Sequence, residues 1–305
     1  MRFVKRLFRI LFLVLILGGI GLVVLHRLSK SRPARYMPNA LTDQQRDAAA
    51  WRLEHQKLPT LMNLVERSQK MDSAAQRAKA KGLPVPPDAT QPVAPITLSF
   101  TQDEINSFLW KWSQQYKSTY EHYITNPYVS VEDGSIVLMG TVPEFDRVVS
   151  AFFEPRLDDK GMLHSDLASV KMGSLPLPEA LFSSKRDKVE KALKTRLPNW
   201  QNHARIDPTG LANSDAQSAW LGKLVLQLLD HQPSPAVVFV HTENSTTVPV
   251  RLTNVTVEKG ALTITVQPMS AQERADLLDQ IRTPQQSSTA SSTDTLSATA
   301  SLPRN

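Results

Sequence analysis

Apolar positions in this chain change their spacing from stretch to stretch, and each spacing marks a different kind of element. Residues 10–25, ILFLVLILGGIGLVVL, are apolar without a break. Counted from Leu7 to Leu25 the stretch has 19 residues including Arg9, close to the roughly 20 that a bilayer core requires. From Thr42 to Lys81 the spacing is helical. Thr42-Asp43-Gln44-Gln45 reads as a capping box, followed by Ala48 to Ala50, Trp51 and Leu53. Pro59 is expected to break or kink that helix. A second segment continues through Leu61, Leu64 and Val65 into Ser68–Lys81, which has almost no apolar stripe. Residues 83–95 hold Pro84, Pro86, Pro87, Pro92 and Pro95, the composition of an extended, semi-rigid linker. Residues 284–305 are dominated by Ser, Thr and Ala without periodicity and read as a disordered tail.

Between linker and tail, residues 96–283 carry clear local signals. Ile96, Leu98 and Phe100 alternate with polar residues, as in a strand. Thr101 to Glu104 then caps a helix whose Ile105, Phe108, Leu109, Trp112 and Tyr116 share one face, expected to point inward. Strands are expected at 128–131 and 136–142 around Glu132-Asp133-Gly134, at 146–156, and at 162–172 after Asp158-Asp159-Lys160-Gly161. A helix opens at Pro178 and is expected to stop at Pro198. Another is expected to be capped from Ser214, with Trp220, Leu224, Val225 and Leu228 as its stripe. Strands at 236–241, 248–257 and 262–267 follow. A last helix begins at Ser270-Ala271-Gln272-Glu273, with Leu277, Leu278 and Ile281 inward. The fold class is α+β: a transmembrane helix and helical spacer, then a curved antiparallel sheet packed with long helices. The divisions are 1–9 basic cytoplasmic tail, 10–25 anchor, 26–82 spacer, 83–95 linker, 96–283 body and 284–305 tail. A body of this length can bury a single full core. For residues 26–82 two readings stand: a spacer lifting the body off the membrane, or a helix packed on it.

Charge bears on location. Arg2, Lys5, Arg6 and Arg9 precede the apolar run, and Arg27, Lys30, Arg32 and Arg35 follow it. The flanks are nearly balanced, but the compact leading cluster favours N-terminus in and the body outside, in a single-pass cell-membrane protein. Arg9 can snorkel to the headgroups, and Arg27 and Lys30 flank the other side. A cleaved signal peptide is the alternative, against which Leu22-Val23-Val24-Leu25-His26 offers no small-x-small site; a cytoplasmic body is a third reading. The net charge of +6 and pI near 9.5 come from these eight flanking residues. They suit anionic headgroups rather than nucleic acid. The chain has no cysteine, so disulfides, thiolate metal sites and cysteine nucleophiles are excluded.

No catalytic constellation stands out. Gly-x-Ser-x-Gly, His-Glu-x-x-His and phosphate-cradling glycine loops are all missing, and the histidines are scattered; His231 and His241 alone could meet across a short strand. Asp158 and Asp159 read as turn formers rather than cation ligands. No enzyme activity, metal or cofactor is expected. Trp110, Trp112, Tyr116, Tyr120 and Tyr123, interleaved with Lys111 and Lys117, could form a stacking or carbohydrate surface. The preferred reading keeps Trp112 and Tyr116 in the core. More unusual is Val148-Val149-Ser150-Ala151-Phe152-Phe153, apolar at both parities where a one-sided sheet alternates. Both faces must therefore meet apolar material: a helix layer, a partner or a bound lipid.

Several blocks resemble the YpmS family of bacterial single-pass membrane proteins: Leu98-Ser99-Phe100-Thr101-Gln102-Asp103-Glu104-Ile105-Asn106, Val131-Glu132-Asp133-Gly134-Ser135-Ile136, Asp159-Lys160-Gly161-Met162-Leu163 and Val170-Lys171-Met172-Gly173-Ser174-Leu175-Pro176-Leu177-Pro178, with the hairpin and helix from Val250 to Ile281. The resemblance covers the body only and implies half of a tubular lipid-binding (TULIP-like) module, in which a long helix lies in a curved sheet and an apolar groove holds lipid. On that basis the expected groove lining is Val149, Ala151 and Phe153 from the strand, with Leu177, Leu181, Val189 and Leu193 from the helix after Pro178. The stripe is also what an ordinary core shows. The function expected is an anchored extracytoplasmic domain binding an apolar ligand, a lipid. The alternative is an envelope assembly factor acting through protein contacts. Membrane, lipid and an envelope protein are the expected partners.

Overall fold

The structure is a computed structural model, and it describes residues 31–86, 93–115, 117, 121, 124–177, 179–207, 211–241 and 247–283. The apolar run 10–25 with Arg9, Arg27 and Lys30, and the tail 284–305, lie outside the described residues. Among those described, no helix is long and apolar enough to cross a membrane.

The chain is α+β, but its strands form two antiparallel sheets rather than the expected one. The first has β1 (Ile96–Thr101), β10 (Ala261–Pro268), β9 (Thr247–Glu258) and β8 (Val237–His241) in that order. The second runs β2 (Thr125–Glu132), β3 (Ser135–Val142), β4 (Arg147–Leu157), β5 (Met162–Met172) and β6 (Leu175–Pro176), with the short β7 (Ser234–Pro235) on the far end of β5. Two hairpin tips join the sheets. The Gly134 N–H donates to Val257 O and the Gly260 N–H to Val131 O, both at 2.9 Å. Both glycines have positive φ, 73° and 81°, where a Cβ would be strained.

Helix α1 (Asp43–Arg52) passes through one π-helical turn (Leu53–Lys57) into α2 (Leu58–Ala80). Pro59 does not break it. Pro59 directly follows a π-helical turn, where the bonding ladder already departs from the regular α pattern. The wider preceding turn closes through the Leu58 N–H and Leu53 O. This segment is no free spacer. Tyr36, Leu64 and Val65 belong to two of the molecule's core clusters, Ala49 and Ala50 are buried, and Asp72 pairs with the buried Arg274 at 2.8 Å. Arg274 lies on α6 (Ala271–Arg282), so the polar end of α2 is held to the last helix.

The structure turns α3 (Gln102–Gln115) away from part of its apolar stripe, with Ile105 and Leu109 only half-buried. Its buried residues are Glu104, Ser107 and Ser113, whereas Phe108 and Trp112 are exposed. Polar docking outweighs the stripe. The Asn106 amide donates to Val129 O and accepts from Val129 N, both at 2.7 Å, and Gln102 accepts from Val131 N at 2.8 Å. These bonds close the outer edge of β2, whose backbone groups would otherwise lack partners.

Helix α4 (Glu179–His203) continues past Pro198. Leu197, Gln201 and Ala204, on either side of the proline and just past the helix end, are buried. Their packing offsets the ~3 kcal/mol a mid-helix proline costs. Helix α5 (Ser214–Leu229) is capped by Asn213 rather than Ser214, the Asn213 side chain accepting from Ala216 N. The boxes at Thr42 and Ser270 form as expected. Thr101 and Glu104 likewise exchange backbone and side-chain bonds. Helices α4, α5 and α6 share a core around Leu197, Trp220, Leu226, Leu277 and Ile281.

Candidate functional site

The two-parity strand is β4, and its faces meet different things. Val148 and Ser150 are buried on one face, with Phe152 beside them. That face is covered by the segment leading into α1. Tyr36 packs there, edge-on to Tyr128 at 6.1 Å, and its hydroxyl donates to Asn126 O at 2.9 Å. Arg35 and Lys171 lie over the Phe152 ring. The cover on this face is thus the chain's own segment leading into α1.

The other face opens into an apolar groove of about 320 Å³. Ile136 and Leu138 of β3, Phe153 and Pro155 of β4 and Leu163 of β5 form the floor, and Leu224 and Leu228 of α5 form the wall. The pairing sets the floor: Ile136 lies opposite Phe153, and Pro155 opposite Ser165. Helix α5 is brought there by β7, which follows it and pairs Ser234 and Pro235 with Leu163 and Met162. Ser165, Gln232 and Ser234 supply the polar lining. The groove is not closed: Leu138 keeps 45% of its surface exposed.

Of the expected lining, Phe153 is in the groove. Val149 and Ala151 are partly buried on the same β4 face but do not border it. Leu177 is partly buried after β6, its N–H bonded to Val170 O, and does not line it either. Leu193 packs against the helical core. Leu181 and Val189 lie on α4, but their side chains fall outside the described part. Among the described residues the wall is α5, and α4 packs on α5 and α6. The groove residues missed, Ile136, Leu138, Pro155, Leu163, Leu224 and Leu228, were legible as strand or stripe residues. Which helix lies on which sheet was not, since that depends on β7.

Asp158 behaves as a turn residue. Its carboxylate accepts from the Met162 and Lys160 amides at 2.8 and 2.9 Å and lies 3.1 Å from His164 Nε2. Those bonds, the one from Met162 foremost, hold its carboxyl below the usual range. Among the described residues no three or more His, Asp or Glu converge as a metal site would require. His231 is exposed in a turn with φ of 53°.

Two antiparallel sheets, a helical layer and an open apolar groove define the architecture of the described residues. No family model matches this chain, and neither a curated protein nor a solved structure does.

Proposed function

We propose that this protein is a membrane-anchored extracytoplasmic domain that holds one lipid acyl chain in the groove between β3–β5 and α5, without catalysis. The observation that carries the reading is a groove lined by apolar residues from three strands and a helix, left open at Leu138. At about 320 Å³ it lies at the small end of ligand pockets, ~300–1,000 Å³, which suits one chain rather than two. Each methylene moved from water into it would contribute about 0.8 kcal/mol. Ser165, Gln232 and Ser234 offer hydroxyl and amide groups to a polar head. The basic-flanked run 10–25 supports a bilayer as the source of the ligand, and the resemblance to the YpmS family supports the same reading.

The test is non-denaturing mass spectrometry of the full chain after the detergent is stripped in the gas phase. The wild type is expected to retain the mass of one acyl-bearing molecule. Leu138→Asp places a carboxylate at the open mouth, where it stays hydrated. That variant is expected to keep its denaturant midpoint and lose the retained mass. Equal retention in both proteins, or none in either, contradicts the reading and leaves the assembly role in its place.

A further inference from the structure

Strand β5 is paired with β4 along one side, but on the other side only its ends are met. There β7 takes Met162 and Leu163, and β6 takes Lys171 and Met172. The Leu177 N–H reaches Val170 O at 2.8 Å. Among the described residues, positions 164–169 carry no strand on that side. The edges of β1 and β2 are closed by side chains, Lys57 with Glu104 on one and Gln102 with Asn106 on the other. Among the described residues no side chain does the same for 164–169. This bare stretch adjoins the apolar groove: Leu163 and Ser165 line it, and Ala168 is exposed. A bare strand edge beside an apolar surface is a template for one more strand.

The chain carries a segment of fitting pattern. Residues 284–305 lack periodicity as a whole, but 296–302 read Leu-Ser-Ala-Thr-Ala-Ser-Leu, apolar and polar in strict alternation, with Pro303 next. That is the pattern of a strand with one buried face, and a proline ends a ladder. We propose that segment 296–302 adds to β5 between β6 and β7, turns Leu296, Ala298, Ala300 and Leu302 into the groove, and competes there with lipid. It rests on the lipid reading above only for what the segment displaces. Charge agrees: residues 295–302 carry none, and among the described residues none that lines the groove does. The root of the tail lies beside the groove. Lys223 of α5 donates to Thr283 O at 2.7 Å, and Gln201 to Ile281 O at 2.8 Å. Leu224 and Leu228 of the groove wall follow Lys223 on the same helix, within ~10 Å along its axis. From Thr283 to Leu296 the chain can span about 40 Å, well beyond that distance. So short a tether holds the segment at an effective concentration on the order of millimolar, so a strand of small side chains suffices.

The test is amide deuterium exchange, read by peptide mass spectrometry, on the full chain stripped of lipid and held in an amphipathic polymer. Wild type is expected to exchange slowly at both 164–169 and 296–302. The variant Leu296→Asp/Leu302→Asp puts carboxylates on the apolar face of the segment. It is expected to exchange fast at both places, with the β9 and β10 peptides unchanged. Lysophosphatidylcholine, a single-chain lipid, is then titrated in. It is expected to release 296–302 in wild type, and the variant is expected to retain more of it at limiting lipid. Fast exchange of 296–302 in lipid-free wild type overturns the proposal, as does equal protection in the variant. Protection in wild type alone, unchanged by a lipid that neither protein retains, upholds the docked strand and overturns the lipid reading instead.

Discussion

Truncating Tyr36 to alanine is expected to lower the unfolding free energy by the ~3–5 kcal/mol found for buried aromatic truncations. Tyr36 is 8% exposed and covers Val148, Val137 and Met139 with Tyr128. Its hydroxyl also bonds Asn126 O and meets Thr141 Oγ1 at 3.2 Å. Removing the ring leaves a cavity, frees the covering segment and exposes one apolar face of β4. Phe153→Ala, on the opposite face of the same strand, is expected to cost much less, because Phe153 already borders open space. Denaturant midpoints of the two variants measure the contrast. Equal losses would mean that both faces are ordinary core.

Replacing Lys57 by methionine is expected to be comparably destabilising at neutral pH, and the loss should shrink in acid. Glu104 is 1% exposed, and its carboxylate meets Lys57 and, at 3.4 Å, Arg52. Burial pushes this carboxyl up, but the bonds from Lys57 and Thr101 outweigh it, and the net pKa is below the ordinary value. In wild type Glu104 therefore stabilises the fold above its unfolded pKa, and that contribution is lost as pH falls through the folded value. Without Lys57, burial dominates and the folded pKa rises. The variant is then penalised above the unfolded pKa, by about 3–5 kcal/mol if the charge stays buried, and recovers as acid protonates the group. Stability measured from pH 7 to pH 3 should show the two proteins converging downward. A constant gap would mean that Lys57 acts through packing alone.

These two sites show where the sequence was legible. Local chemistry read well: the reciprocal boxes at Thr42, Thr101 and Ser270, and the turns at Gly134, Gly161 and Gly260, lie where pattern placed them. Strand β5 runs Met162–Met172, as the turn at Asp158–Gly161 before it suggested. What failed was choice of partner. Phe108 and Trp112 of the α3 stripe point outward because Asn106, Gln102 and Glu104 find polar partners in β2 and Lys57, and no helical periodicity encodes those bonds; Tyr116 lies outside the described residues. Pro198 sits inside α4 because distant packing holds the turns around it. The groove strand was legible as a two-sided apolar run, and Phe153 borders the groove. Its opposite wall was assigned to α4; among the described residues that wall is α5, since strand β7, only two residues long, carries α5 to β5.

The central claim, a lipid chain in the groove, is tested most directly by photo-cross-linking in the membrane. Full chain in bilayers containing a phospholipid with a diazirine on its acyl chain is irradiated, and the adducts are mapped by peptide mass spectrometry. The account predicts adducts on Phe153, Leu163, Leu224 and Leu228 as well as in the apolar run, and their loss in Leu138→Asp. Adducts confined to residues 1–30, with the groove unlabelled, would contradict it.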